Sequence, residues 1–208
     1  MKKRWFFLLP VFIGVTSYVW YVHFHYRFET IDKDKVYKSA AIPPDELDYY
    51  LKKHNIKTVI DLRDGNSYDD LNPVNQTEID AEAAAIAKIS GVEHVNIPSP
   101  QVPTRETLTR FFTVLDDKKA YPILIHCYHG TGRAQMYSAL YRIEYLKMKN
   151  EEARQQTRFI TEMPGYKSSF ALTKEKGSFL AQYVPRVFGK ASTMASLPPS
   201  FYELSMKD

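Results

Sequence analysis

The chain has 208 residues, with 28 lysines and arginines against 24 aspartates and glutamates, a formal net charge of +4 and one cysteine. Its basic residues are scattered among acidic ones, so nucleic acid is not indicated as a partner, and the lone cysteine rules out an intramolecular disulfide without fixing the redox compartment. With no internal repeat, about 180 residues beyond the N-terminal stretch suit one globular domain with a single core.

Lys2, Lys3 and Arg4 precede an uncharged stretch from Trp5 to Val22. As a helix rising about 1.5 Å per residue it would extend roughly 27 Å, close to the hydrocarbon thickness of a bilayer. Trp5 at one end and Tyr18, Trp20 and Tyr21 at the other have the placement of interfacial aromatics. The basic cluster favours a cytoplasmic N-terminus, which predicts a single-pass transmembrane helix in contact with lipid and a catalytic domain on the extracytoplasmic, periplasmic side. A cleaved signal peptide is the alternative, but Thr16 to Trp20 runs into bulky aromatics with no small-x-small site. The expected organisation is an anchor and connector over 1–26, a catalytic domain over 27–189 and a C-terminal tail over 190–208. His23 and His25 fall in the connector and are read as interfacial residues rather than metal ligands.

Leu47, Tyr50 and Leu51 predict a helix over 45–54, and Lys57 to Leu62 reads as a strand. Arg63 to Pro73 is a loop bearing Asp64, Asp69 and Asp70. It follows a strand expected to lie parallel to the catalytic one, at the sheet end where open α/β folds place their sites, with Arg63 supporting that edge. Ile79, Ala83, Ile86 and Ala87 predict a helix over 76–90 stopped by Gly91. Val92 to Ile97 is a strand and Pro98 to Pro103 a stiff loop. Thr104 can cap a helix whose Leu108, Phe111, Phe112 and Leu115 form a core stripe.

Pro122 to Ile125 has the pattern of a buried strand, and Met136, Tyr137, Ala139, Leu140, Ile143 and Leu146 have helical spacing. Between them lies His126-Cys127-Tyr128-His129-Gly130-Thr131-Gly132-Arg133. A strand-to-helix loop with glycines at 130 and 132 can turn successive N–H groups inward as an anion nest, with the helix dipole adding positive potential. Such a field favours the thiolate of Cys127, and Arg133 offers a two-pronged donor to phosphoryl oxygens. The chemistry indicated is attack by sulfur on phosphorus, a cysteinyl-phosphate intermediate and its hydrolysis, with no cofactor and no metal. Helices are also expected over 150–160 and 173–187 as scaffold, the second turning Phe179, Leu180, Tyr183, Val184 and Val187 inward.

His-Cys, five residues and Arg resemble the signature of the cysteine-based protein tyrosine and dual-specificity phosphatases. Tyr37 to Ala40, Pro44 to Leu47, Ile56 to Arg63, Gly91 to Val95 and Ser138 to Arg142 resemble segments of their small bacterial members in the same order. Rhodanese-type sulfurtransferases also hold a cysteine in an anion-binding loop but lack those segments. The resemblance implies an α/β fold with a central, mostly parallel sheet flanked by helices. It implies Cys127 and Arg133 as catalytic residues, with Tyr128, His129, Gly130, Thr131 and Gly132 joining Arg133 around the phosphate and His126 and Gln135 in support.

Three departures bear on mechanism. Relatives often place an aspartate in the loop before the Leu108 helix, or just before the arginine, to protonate the leaving oxygen. Here those places hold Ser99 and Gln101, and Gly132. General acid catalysis contributes about 10² to 10⁴ in rate, so a replacement is expected: Asp69 or Asp70, with His129 as second candidate. The third departure is Ala134, where relatives carry a hydroxyl that helps the thiolate leave; the phosphatases of regenerating liver are similar in having alanine, which implies slow turnover. Gln135 is placed to orient water. The loop carries no lysine, which disfavours polyphosphorylated inositols and favours a phosphotyrosine-like aryl phosphate. A lipid or cell-envelope phosphomonoester, and an inactive binder of phosphorylated ligands, are the alternatives.

Overall fold

The computed structural model describes residues 5–66, 73, 76–157 and 168–186. Among these residues five strands, β1 (Glu29–Asp32), β2 (Val36–Ala40), β3 (Thr58–Asp61), β4 (Glu93–Asn96) and β5 (Ile123–Cys127), form one sheet. Their order across it is β1-β2-β5-β3-β4, with β1 antiparallel to β2 and every other pair parallel. This is the mostly parallel α/β sheet expected. Among the described residues seven α-helices accompany it: α1 (Trp5–His23), α2 (Pro44–Lys53), α3 (Gln76–Ile86), α4 (Arg105–Asp116), α5 (Arg133–Tyr145), α6 (Asn150–Gln155) and α7 (Glu175–Gln182).

Two cores follow from the two-residue period of the strands. Ile60, Leu62, Ile123, Ile125 and Cys127 face Leu108, Phe111 and Phe112 of α4 and Met136 and Leu140 of α5. Tyr37, Val59 and Leu124 face Leu47, Tyr50 and Leu51 of α2 and Ile86 of α3. Each large side chain buried this way contributes about 1.5–3 kcal/mol. Thr104 caps α4 as expected: its side chain accepts from Thr107 N, and Thr107 reciprocates to the cap backbone.

Several predicted elements change extent. Just beyond the connector lies strand β1, for which no element was predicted; it has no alternating pattern because it is an edge strand with Ile31 as its buried residue. Helix α3 ends at Ile86 and leaves Ala87 exposed, so the backbone turns before Gly91, which has φ +79°. Helix α6 stops at Gln155, short of the predicted end, and residues 158–160 lie outside the described set. Helix α7 buries Phe179 and Leu180 and is followed by buried Tyr183, whereas Val184 is exposed. Val187 and the predicted tail over 190–208 lie outside the described residues.

The expected transmembrane helix is overturned. Among the described residues no helix is long and apolar enough to cross a membrane. The uninterrupted apolar part of α1 runs only from Phe6 to Val15 and contains Pro10. That is roughly 15 Å of helix, about half the hydrocarbon thickness. Polar groups then enter: Thr16 Oγ1 turns back to the carbonyls of Phe12 (2.9 Å) and Ile13 (3.0 Å), and Ser17 and Tyr18 follow. The single-pass anchor, its contact with lipid and the periplasmic placement of the catalytic domain fall with it. The end of α1 instead meets the α/β domain, where His25 stacks on Trp20 at 5.0 Å and Tyr50 Oη donates to Phe24 O at 2.9 Å.

Candidate active site

Parallel register brings the C-terminal ends of β2, β5 and β3 to one edge, with Ala40 opposite Cys127 and Asp61 opposite His126. The loop from Tyr128 to Gly132 crosses that edge into α5. Gly130 adopts φ +69°, and a Cβ there would stand 2.6 Å from Ala40 N and 2.7 Å from Ser39 C and O, so only glycine fits. Gly132 differs from the sequence expectation, since its φ is −104°, outside the left-handed region. Its lack of a side chain matters for space: a Cβ would stand 3.3 Å from both Gln101 Oε1 and Lys176 Nζ. The loop is tied from outside by Arg27 Nη1 donating to His129 O (2.9 Å) and Ala41 N donating to Tyr128 O (3.1 Å).

Cys127 is buried at the end of β5, and its Sγ accepts from Ala134 N at 3.5 Å, in the first turn of α5. Arg133, the first residue of α5, sends Nη1 to the carbonyls of Leu62 (3.1 Å) and Ser99 (3.3 Å). These carbonyls fix the guanidinium plane, while buried Nε has no partner among the described residues. Ser99 is thus a support, not an acid: it is buried and its Oγ lies 2.6 Å from Tyr137 Oη. Buried Gln135 keeps Oε1 without a partner among the described residues. Tyr128 and His129 pack edge to face at 4.6 Å, and His129 is exposed. Asp69 and Asp70, the predicted acids, lie outside the described residues.

His126 points to the opposite face of the sheet, into a buried knot of charge that the sequence reading missed. Its Nε2 lies 2.8 Å from Glu82 Oε1 of α3. Arg63 donates Nη2 to Asp61 Oδ2 (2.9 Å) and to Glu82 Oε2 (2.7 Å), and its Nε donates to Asp61 Oδ1 at 2.9 Å. His94 Nε2 stands 3.5 Å from Glu82 and 3.6 Å from Asp61. Burial opposes charge on His94, but these carboxylates outweigh it and push its pKa up to about 9. Burial likewise opposes the charges of Asp61 and Glu82, yet the neighbouring cations hold both well below the usual carboxylate range. Donor atoms of Asp61, Glu82 and His126 all lie within 4.8 Å of one another, a spacing that suits a metal ion. Arg63 and protonated His94 together balance the two carboxylates, so the arrangement is complete as an ion-pair network. The sequence signal was present: Glu82 stands on the apolar face of α3, three residues after Ile79.

A family model described as "DSP-PTPase phosphatase fused to NAD+ Kinase" matches residues 26–174. Comparison with curated proteins gives no match. Among solved structures, the core catalytic domain of the PP-IP phosphatase SIW14 from S. cerevisiae, in complex with citrate, is similar with a TM-score of 0.54 at 16% identity, over 76% of this chain and 85% of that one. Tk-PTP in its active form has a TM-score of 0.51 at 21% identity, over 76% of this chain and 97% of that one. At these identities the likeness is one of fold.

Proposed function

The chain belongs to the DSP-PTPase phosphatase family and is a phosphatase of the tyrosine and dual-specificity type, and we propose that it hydrolyses phosphomonoesters through a cysteinyl-phosphate formed on Cys127. The observation that carries this reading is the pairing of Cys127 and Arg133 at the two ends of one loop, the sulfur facing Ala134 N and the guanidinium pinned by Leu62 and Ser99. The phosphoryl group would lie among the amides of residues 128–133, with Arg133 gripping two of its oxygens more strongly as charge spreads in the transition state. Sulfur attacks phosphorus in line, the ester oxygen leaves on the opposite side, and water then releases phosphate. Gln135 Oε1 is available to orient that water. The catalytic domain is taken as residues 27–189.

The substrate class we assign is a phosphotyrosine-like aryl phosphate, because the loop's own side chains, Tyr128, His129 and Thr131, bring aromatic surface and no lysine. A second reading, a binder of phosphorylated ligands that has lost turnover, is favoured by Ala134, which has no hydroxyl to assist the departing thiolate. Phosphate release from an aryl phosphate by the full chain separates the two. Turnover by the wild type that falls by roughly 10³-fold or more in Cys127→Ser supports the enzyme. Retention of phosphate or vanadate with no release by the wild type would reject it.

A further inference from the structure

Lys176 comes 43 residues after Arg133 in sequence, yet its ammonium reaches the rim of the catalytic loop. The placement begins with Gly177, whose missing Cβ lets the start of α7 press against the carbonyls of Phe170 and Ala171. Phe170 is buried, and its carbonyl accepts from Arg154 Nη1 of α6 at 2.8 Å. Glycine at 177 and arginine at 154 therefore clamp the first turn of α7. From that turn the Lys176 side chain passes over the Phe170 ring, with Nζ 5.6 Å from its centroid, and donates to Gln101 Oε1 at 2.6 Å. Its Nζ lies 3.3 Å from the point a Cβ of residue 132 would occupy. The bare Cα of Gly132 is what gives the ammonium its room.

This places a cation between the Gln101 loop and the catalytic loop. In-line displacement requires the leaving oxygen to depart on the side opposite Cys127 Sγ, which is buried at the floor. A group on the rim therefore faces the ester oxygen and not the sulfur. No carboxylate stands in the Pro98 to Pro103 loop or beside Arg133 in sequence, so no acid is supplied from either flank.

We propose that Lys176 is the leaving-group residue of this phosphatase, its ammonium donating a proton to the ester oxygen as the P–O bond breaks. The proposal rests on the reading of Cys127 as nucleophile. In the first step the Sγ–P bond forms, the P–O ester bond breaks with its electron pair going to oxygen, and Nζ supplies the proton. In the second step neutral Nζ takes a proton from the attacking water as its oxygen forms a bond to phosphorus, the S–P bond breaks, and its pair returns to Sγ as inorganic phosphate leaves. Lysine ends protonated, and water is the sole co-reactant. Gln101 is the positioning residue for the amine.

The test compares two aryl phosphates whose leaving groups differ in basicity, 4-nitrophenyl and phenyl phosphate, in the full-length protein. Lys176→Met is expected to lose roughly 10²-fold or more in kcat/KM on phenyl phosphate and under about 10-fold on 4-nitrophenyl phosphate, whose phenolate leaves unaided. Thermal melting of the variant should match the wild type. Lys176→Arg, which keeps the charge but gives up no proton, should retain the 4-nitrophenyl activity and lose part of the phenyl activity. Equal losses on both substrates, or a change confined to KM, would overturn the assignment. The same holds if Asp69→Asn or Asp70→Asn, rather than Lys176→Met, steepens the dependence on leaving group. Absence of Cys127-dependent release from the wild type would remove the nucleophile reading itself, a result distinct from any of these.

Discussion

His126 and Cys127 are neighbours on β5, yet they enter two charged regions of opposite construction. On the α3 side, Arg63, His94 and His126 meet Asp61 and Glu82 in a buried cluster where cation and carboxylate neutralise one another. On the α5 side, Arg133, Lys176 and the amide of Ala134 gather around the mouth and floor of one loop, where the sulfur is the partner drawn in. A charge that is closed on itself can only hold backbone in place. Cations gathered at the mouth of a loop on a sheet edge can receive an anion, so the first region positions the strand end and the second is where we place the chemistry.

The largest expected effect comes from breaking the closed region. Glu82→Ala would leave Arg63 and His126 buried beside a methyl group, and removing one partner of a buried ion pair costs about 3–5 kcal/mol. Denaturant unfolding should show that loss, with activity falling in parallel because Asp61 and Arg63 lie where β3 supports the site. Lys176→Met should behave in the opposite way, losing turnover at constant stability. A Glu82→Ala protein as stable as the wild type would erase the distinction between the two regions.

Next in size is Gly130→Ala, which acts on the frame of the open region. The new methyl would meet the backbone of Ser39 and Ala40 while φ stays at +69°. Backbone forced into that region costs about 1–3 kcal/mol, and relief by moving the loop would displace its amides. The expected outcome is weaker inhibition by vanadate and a lower kcat/KM, with the melting temperature reduced less than in Glu82→Ala. Unchanged vanadate inhibition would show that the nest tolerates displacement at this residue.

Most of the fold was legible because core residues repeat at helical or strand periods, as in Leu108, Phe111, Phe112 and Leu115 of α4. Strand β1 escaped because, as an edge strand with one buried residue, it lacks such a period. The anchor reading failed because an uncharged stretch is not a uniformly apolar one: Thr16 and Ser17 interrupt it. At the candidate site, Cys127, Arg133 and Gly130 were legible because they lie within eight consecutive residues. Glu82, His94 and Lys176 were not, because their roles depend on chain segments brought together only by the sheet and by α7.

The smallest expected effect is a pH dependence that tests whether the two regions are independent. Asp61 and Glu82 have folded pKa values below their ordinary 3.8 and 4.5, so their contribution to stability is complete above about 4.5 and is lost as pH falls. His94 runs the other way: its folded pKa of about 9 exceeds the ordinary 6.5, so its contribution is complete below 6.5 and is lost as pH rises through about 9. Stability measured by denaturant should therefore be highest between about pH 4.5 and 6.5 and decline toward pH 9. His94→Gln should flatten that alkaline decline, since glutamine carries no proton to lose, and its effect should be smaller than that of Glu82→Ala because both carboxylates keep Arg63. Because His94 lies on the α3 side of the sheet, away from sulfur and rim, the pH profile of kcat on an aryl phosphate should be the same in His94→Gln and wild type. A kcat profile that shifted with the stability profile would mean that protonation of the closed region is transmitted through β5 from His126 to Cys127, and the two faces would have to be treated as one electrostatic unit.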